Sequence, residues 1–442
     1  APEPLRPVGA GGVVTANDSR AGAPGGVRVV VDALGRLREM QATPPRFRRD
    51  SGQAPAFPED VVFQEAGLDR ARFQPVPAEW VPAVPFDARR EWTGSRAETP
   101  EIALHLSAAT LHGRLIAAPP PGPWNAPTVA PLQPTISATI EQSAVAAVLV
   151  TLVIAGVFFA RRNLRLGRGD RAGAFRVAVV YIVLSMLNVL PGAHLFSSWQ
   201  GLSIVQTSLW VSTGAGVIVW MMYIALEPFV RRRIPDLLVG WARVLEGRVR
   251  DPRVGRDVLT GLAAGALVAV LSLATSGVPT FFPVPHQTPV PWFTFGEVST
   301  QMVPMAVWGG VGVVAIGRSV SSMALLFFLH LLLRRTWAAG VGLGVLFTLL
   351  ALGGENPMLD TPVAMVTGAL FAIVTTRAGL LAFVALWIGY GLLVLMPVGI
   401  GLTRWYGPYA WLTPLLLVAA AGWAFVTSLG GRSPFGNVTL DA

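Results

Sequence analysis

Long apolar runs fill residues 141–430, whereas residues 1–140 combine proline, arginine and glutamate with only short apolar stretches. An α-helix needs about 20 apolar residues to cross the hydrocarbon core of a bilayer. The pattern therefore predicts a polytopic α-helical membrane protein with a small N-terminal α+β domain. Eight spans are predicted at residues 141–160, 174–195, 203–226, 257–276, 336–353, 361–376, 378–400 and 408–429.

A ninth span is predicted from the distribution of charge. Residues 297–333 are long enough for two spans, but Arg318 divides them. Arginine-rich loops are retained on the cytoplasmic side of a membrane. Because the loop at 277–297 is expected outside and Arg334 inside, an odd number of crossings separates them. We expect one full span ending at Arg334, preceded by a kinked or re-entrant segment, and about nine spans in total.

The remaining arginines predict the orientation. Residues 161–176, the arginine-rich loop 228–257 and Arg377 are expected inside, and residues 354–360 outside. The N-terminal domain is then extracytoplasmic and the C-terminus cytoplasmic, in a bacterial inner membrane. Arg404 is the one charge that this orientation places against the rule.

The N-terminal region shows the shorter patterns of a small α+β domain. Alternation predicts a strand at 27–31 paired with a strand at 36–40, and a second hairpin formed by 102–108 and 114–118. A short helix is predicted at 58–66. The expected organisation is a linker at 1–26, an extracytoplasmic domain at 27–118, a proline-rich linker at 119–140, a multi-span domain at 141–430 and a cytoplasmic tail at 431–442.

Composition excludes several kinds of chemistry. The chain has no cysteine, and all 34 of its Lys and Arg residues are arginine. Disulfides, thiolate metal sites and lysine-dependent phosphate binding are therefore excluded. The net charge of +9 comes mostly from residues 161–176 and 231–256, beside predicted spans. We accordingly expect contact with the lipid bilayer and its anionic head groups rather than with nucleic acid.

The loop 228–257 is the centre of the predicted organisation. An apolar span is expected to stop at Glu227-Pro228, which we interpret as a structural pair, and eight arginines follow. Apolar residues at helical spacing between 234 and 245 predict either an amphipathic helix on the membrane surface or a helix packed on protein. The residues predicted to dock a protein partner or lipid are Arg231, Arg232, Arg233, Trp241, Arg250, Arg253 and Arg256.

Ionisable residues inside spans can mark a transport path or an active site. Glu227 lies four residues before Arg231, which favours a local ion pair. His330 could ligate a haem or chlorophyll, but its sequence context favours a packed or snorkelling histidine. Glu297 and Arg318 are too far apart in sequence for a pair to be predicted.

No catalytic centre is predicted. His105 and His112 have no third ligand at metal spacing, so we expect surface histidines. No HExxH motif is present, and no internal repeat supports a transporter. The expectation is a protein that is not an enzyme and has neither metal nor cofactor.

Nine stretches spread over roughly residues 27–436 form a distinctive set, several of them rich in arginine. They are Val31-Asp-Ala-Leu-Gly-Arg-Leu-Arg, Ala66-Gly-Leu-Asp with Phe73, Ala160-Arg-Arg-Asn-Leu-Arg-Leu-Gly-Arg-Gly-Asp-Arg-Ala-Gly-Ala-Phe, Leu226-Glu-Pro-Phe-Val-Arg-Arg-Arg, Gly240-Trp-Ala-Arg-Val-Leu, Arg250-Asp-Pro-Arg-Val-Gly-Arg-Asp, Arg377-Ala-Gly-Leu-Leu-Ala, Trp405-Tyr-Gly-Pro and Leu429-Gly-Gly-Arg-Ser-Pro-Phe-Gly. Together they resemble the region C-terminal to the kinase domain in large membrane-bound serine/threonine protein kinases of acidobacterial type.

The resemblance implies a cytoplasmic kinase domain and a first span upstream, which would deliver residues 1–140 to the outside. Residue 1 is alanine, in keeping with a processed or truncated chain. The kinase motifs themselves are absent from this sequence. We therefore expect a non-catalytic sensor or anchor region that signals or docks through its arginine-rich cytoplasmic loops. The alternatives are a structural accessory subunit of a photosynthetic or respiratory membrane complex and, less favoured, a transporter.

Overall fold

The structure is a computed structural model, which describes residues 24–31, 35–46, 56–97, 100, 103–119, 136–192, 199–281, 303–351, 357–395 and 407–431. The described residues form two compact units, one within 24–119 and the other within 136–431. Most of the predicted linkers and of the C-terminal tail lies outside the described residues, as do Glu297 and Arg404.

The N-terminal unit is a six-stranded antiparallel sheet with one helix. Its spatial strand order is β1-β2-β6-β5-β4-β3. In chain order the elements are β1 (Val27–Val31), β2 (Leu37–Ala42), α1 (Glu59–Ala66), β3 (Phe73–Val76), β4 (Ala88–Gly94), β5 (Leu104–Leu111) and β6 (Arg114–Ala118). Both predicted hairpins and the predicted helix are confirmed.

The sequence prediction missed β3 and β4. These strands lie in a proline-rich stretch where the alternation of apolar and polar residues is too short to be recognised. They pair with each other from Phe73 opposite Gly94 to Val76 opposite Glu91. Trp92 on β4 is 1% exposed, and its ring centroid lies 5.2 Å from that of Phe63 on α1. Burial of these aromatic rings holds the helix against the sheet.

The second unit is helical. Its helices are α2 (Ile136–Arg165), α3 (Arg171–Val189), α4 (Trp199–Arg233), α5 (Val239–Leu245), α6 (Pro252–Phe281), α7 (Val303–Leu333), α8 (Thr336–Ala351), α9 (Pro357–Ile373), α10 (Leu380–Leu395) and α11 (Gly407–Ser428). A π-helical turn, Val374–Ala378, follows α9.

Six stretches of the described helices are long and apolar enough to cross a membrane, which supports a polytopic membrane protein. They are Arg171–Val189, Gly201–Arg233, Pro252–Ala274, Val307–Leu333, Asp360–Ala378 and Trp411–Ser428. This number is smaller than the nine spans predicted from the sequence. The apolar helices α8 and α10 have 16 residues each, just below the range of about 17–25 residues typical of a span.

Two helices differ from what the sequence predicted. The helix α4 extends beyond Glu227-Pro228, where the apolar span was predicted to stop, and continues through the proline to Arg233. The helix α7 runs without interruption from Val303 to Leu333, so Arg318 does not separate a kinked segment from a span. A helix can accommodate a proline or a charge when neighbouring side chains satisfy the affected groups.

The closest helix packing joins α6 to α10. A Cβ atom added to Gly261 would lie 2.1 Å from the carbonyl oxygen of Ala382, and one added to Gly265 would lie 2.4 Å from that of Leu386. These glycines form a small-xxx-small pattern, which lets two helix backbones approach each other directly. The helix α10 is almost entirely buried, so it lies at the centre of the helical unit.

Candidate functional site

The end of α2, the start of α3 and the end of α4 meet at one end of the helical unit. The side-chain amide of Asn163 on α2 donates to the carbonyl oxygen of Ile224 on α4 at 2.9 Å. The backbone N–H of Asp170, just before α3, donates to the Glu227 carboxylate at 3.3 Å. These contacts place the arginines of 161–176 beside those that follow Pro228.

Other helix ends join them there. Arg176 on α3 donates to the carbonyl of Leu245 on α5. On α4, the ring of Phe229 lies 4.3 Å from that of Phe327 on α7. Gly255, in the first turn of α6, packs against the last turns of α11.

We call this surface, formed by residues 161–176, 228–257, 334–335 and 377, the arginine-rich end. Within the described part of the helical unit, Arg318 is the only arginine that lies elsewhere.

Pro228 explains the contact between α2 and α4. Proline has no backbone N–H, so the carbonyl four residues earlier in a helix loses its donor. That carbonyl belongs to Ile224, and Asn163 supplies the replacement hydrogen bond from another helix. Asn163 also donates to the carbonyl of Ala225 at 3.1 Å. The helix therefore continues through the proline because α2 provides the missing donor.

The loop between α2 and α3 is shaped to fit this site. Gly169 has φ = +110°, a backbone conformation that favours glycine. Its Cα faces Pro228 and Ile224, since an added Cβ would lie 3.7 Å from a side-chain atom of each. Asp170 then caps α3, with its carboxylate accepting from the N–H of Gly173 at 2.8 Å.

Glu227 is the buried acid of the site. It is 4% exposed, and its Oε1 lies 2.7 Å from Nε of Arg231, whereas Arg231 itself is 61% exposed. The ion pair expected from the four-residue spacing is therefore present. A neighbouring internal cavity of about 20 Å³ is lined by Tyr223, Glu227, Leu238 and apolar side chains of α4, α7 and α10. This volume holds about one water molecule and excludes an organic substrate.

The helix α5 packs on protein rather than on the membrane surface. Trp241, Leu237 and Leu238 are all less than 9% exposed and belong to the core of the helical unit. The structure thus favours the second of the two interpretations of residues 234–245. Trp241, predicted as a docking residue, is instead part of this core.

The predicted docking arginines fall into two groups. Arg253 is half-buried and lies 3.6 Å from Asp257, an acid that sequence reasoning missed. Arg231 is held by Glu227, although it remains exposed. The second group is exposed and forms no ion pair with any described residue: Arg232, Arg233, Arg250 and Arg256.

A groove of about 450 Å³ runs between α2 and α4 at the edge of the arginine-rich end. Val157, Leu164 and Trp220 contribute to its mostly apolar lining, and Arg161 and Arg165 also border it. The spacing of these arginines along the sequence does not indicate this groove, because it depends on the packing of α2 against α4.

The remaining candidate groups lie apart from this surface or show no ligand set. His330 is half-buried, with its ring 6.0 Å from that of Phe229. Among the described residues, no group of three or more His, Cys, Asp and Glu side chains is placed to hold a metal ion. Arg318 lies along α7, with its guanidinium carbon 4.3 Å from the ring centroid of Trp387.

The chain matches no family model, no curated protein and no solved structure.

Proposed function

We propose that nine helices cross the membrane: α2, α3, α4 and α6 to α11. The contacts at the arginine-rich end support this number. They bring together the ends of α2, α4, α7 and α11 with the starts of α3 and α6. The helix α8 starts where α7 ends, and α10 starts where α9 ends. Successive long helices therefore run in alternating directions, as in a chain that crosses a bilayer repeatedly.

The proposed orientation places the arginine-rich end in the cytoplasm. Loops rich in arginine remain on that side during insertion. With nine crossings, the N-terminal unit is extracytoplasmic and the C-terminus cytoplasmic. A bacterial inner membrane is the compartment in which both features are expected.

In this arrangement the chain acts as a non-catalytic membrane anchor that docks an acidic surface of a cytoplasmic protein. The observation that carries the proposal is the exposed group of Arg232, Arg233, Arg250 and Arg256, none of which forms a salt bridge within 4.0 Å with a described residue. Arginine pairs readily with carboxylates and phosphates. The resemblance to kinase membrane regions suggests a kinase domain as the docked protein and a sensing role for the N-terminal unit.

A paired substitution tests the docking surface. The double variant Arg232→Gln/Arg233→Gln removes two exposed charges and leaves the buried Glu227–Arg231 pair in place. The matched control, Arg46→Gln/Arg114→Gln, removes two exposed charges from the N-terminal unit. Each tagged chain is purified from native membranes in mild detergent, and co-purifying proteins are quantified by mass spectrometry.

We expect at least one cytoplasmic protein to fall about tenfold in the first variant and to be retained by the control. A tenfold loss corresponds to about 1.4 kcal/mol, a modest value for two charged contacts. An identical set of proteins in all three samples would show that this surface docks none of them. A kinase among the proteins that the double variant loses would favour the signalling role. If the unmodified chain co-purifies only with integral membrane subunits, the structural role is favoured.

The second candidate function is a structural subunit of a larger membrane complex. Arg318 is the observation that favours it, because an exposed arginine along a membrane helix needs a neighbour that neutralises it. In such a complex, other membrane subunits would cover the lipid-facing helices, and the arginine-rich end would contact their cytoplasmic parts.

A further inference from the structure

Arg318 lies at mid-height in the helical unit. It is the sixteenth of the 31 residues of α7. Its partner in the cation–π contact, Trp387, is the eighth of the 16 residues of α10. The adjacent Gly317 faces Tyr181, which is the eleventh of the 19 residues of α3. The positions of these residues on three helices thus indicate that the charge lies far from both ends of the unit.

The Arg318 side chain is exposed at this height. Val314, one turn earlier on α7, is also exposed, at 42%, and Ser321, one turn later, is half-exposed. Val314 and Ser321 flank the arginine on the same face of α7. Both side chains are short, which leaves room for another helix to approach. Trp387, by contrast, is 6% exposed, so its ring packs against the buried side of the guanidinium group.

The titratable group that interacts with Arg318 among the described residues is the phenol of Tyr390, which is neutral at pH 7. No described carboxylate forms an ion pair with Arg318, and neither the groove nor the internal cavity reaches it. The carboxylates of the helical unit that the structure describes lie toward helix ends: Asp170, Glu227, Asp236, Glu246, Asp251, Asp257 and Asp360.

No carboxylate in the described part of the chain therefore reaches Arg318 at mid-membrane. A phospholipid head group lies about 15 Å from the bilayer centre, and an arginine side chain covers only about half of that distance. A second copy of this chain offers no described carboxylate at the required height. What fits is a carboxylate on another membrane-spanning helix, since ionisable groups within bilayers are found paired with one another.

We propose that the face of α7 around Arg318 docks a transmembrane helix of another subunit, which carries an aspartate or glutamate at mid-depth. The inference rests on the proposed crossing of the membrane by α7. The Trp387 ring holds the guanidinium group in place through the cation–π contact, and the incoming carboxylate neutralises it. Val314 would contact the incoming helix one turn before Arg318, and Ser321 would contact it one turn after.

Synthetic membrane-spanning peptides test this proposal directly. The probes are leucine-alanine helices that differ only at their central residue, which is Asp, Asn or Leu. The chain has no cysteine, so Leu332→Cys, at a position that is 77% exposed near the end of α7, provides a single fluorophore site. Energy transfer from labelled peptide to labelled protein in liposomes of neutral lipid gives the binding constant for each probe.

The Asp peptide is expected to bind the unmodified face at least tenfold more tightly than the Asn and Leu peptides. Arg318→Lys should retain this preference and Arg318→Gln should abolish it. Equal binding of the three peptides, or a preference that survives in Arg318→Gln, would overturn the proposal. If Arg318→Gln fails to fold, the comparison of the three peptides on the chain that retains Arg318 still decides the question.

The double variant Arg232→Gln/Arg233→Gln is the matched control. It removes charge from the arginine-rich end and should leave the preference for the Asp peptide unchanged, because that end is remote from Arg318. Loss of the preference in this control would mean that the peptides respond to long-range charge, which contradicts a specific site. Failure of cytoplasmic docking in the earlier test would not alter the peptide result, so the two proposals can fail independently.

Discussion

Asn163 shows how one side chain can allow an irregularity in a distant helix. The carbonyl of Ile224 has no donor within α4 because residue 228 is proline. Ile224 is fully buried, so no water reaches that oxygen and the cost of leaving it unpaired is high. The amide of Asn163 removes this cost and at the same time attaches α2 to α4.

The pairing predicts a specific coupling between two substitutions. Asn163→Leu keeps the side-chain volume but leaves the Ile224 carbonyl unsatisfied, and it should lower the free energy of unfolding by about 1–3 kcal/mol. Pro228→Ala restores the backbone N–H that α4 lacks. The double variant should therefore lose less stability than the sum of the two single changes, as measured by unfolding of the detergent-solubilised protein.

Additive effects in that cycle would contradict the assigned role of Asn163. Asn163→Asp offers an additional check, because an ionised carboxylate accepts hydrogen bonds but cannot donate one to the carbonyls of Ile224 and Ala225. It should destabilise the protein at least as much as Asn163→Leu does.

At the scale of helices, the contact between α6 and α10 depends on the absence of side chains. The Cα atoms of Gly261 and Gly265 face backbone carbonyls of α10, so even one methyl group would force the helices apart. Loss of this contact would affect the whole helical unit, because α10 lies at its centre.

We expect Gly261→Ala to lower the free energy of unfolding by about 1–3 kcal/mol, the usual cost of overpacking a close contact. The matched control is Gly422→Ala on α11, where an added Cβ meets no atom within 4 Å. The control should be neutral or slightly stabilising, since alanine favours helix more than glycine does. Thermal unfolding of both variants in one detergent provides the comparison, and equal stabilities would rule out the close packing described.

The elements that were predictable are those with a local signal. The apolar runs located the long helices, and the alternation in 27–40 located the first hairpin, because each depends on residues adjacent in sequence. The ion pair of Glu227 with Arg231 was predictable for the same reason. The ion pair of Arg253 with Asp257 has the same four-residue spacing and was equally predictable, although it was not predicted. Asn163 and the exposed position of Arg318 have no such signal, because their roles arise from contacts between helices, or from the lack of one.

At the scale of the whole molecule, the alternating directions of the long helices predict which loops face each side. The absence of cysteine allows single cysteines to report this. Glu355→Cys lies between α8 and α9 and should react with a membrane-impermeant maleimide in intact cells. Val249→Cys, which is 44% exposed at the arginine-rich end, should react only after permeabilisation. Protection of both sites in intact cells would mean that α8 does not cross.

The hydrogen bond from Asn163 to Ile224 also has a consequence for biosynthesis. A chain made from its N-terminus delivers α2 before α4, and domains and segments generally assemble in that order. The donor is therefore already in the bilayer when the proline-containing helix arrives. A circularly permuted chain in which α2 follows α11 would contain the same contacts in its final structure. In that chain, however, α4 would be synthesised before Asn163, the donor to its Ile224 carbonyl. The order of the helices along the chain thus ensures that the donor for the Ile224 carbonyl is present when α4 is inserted.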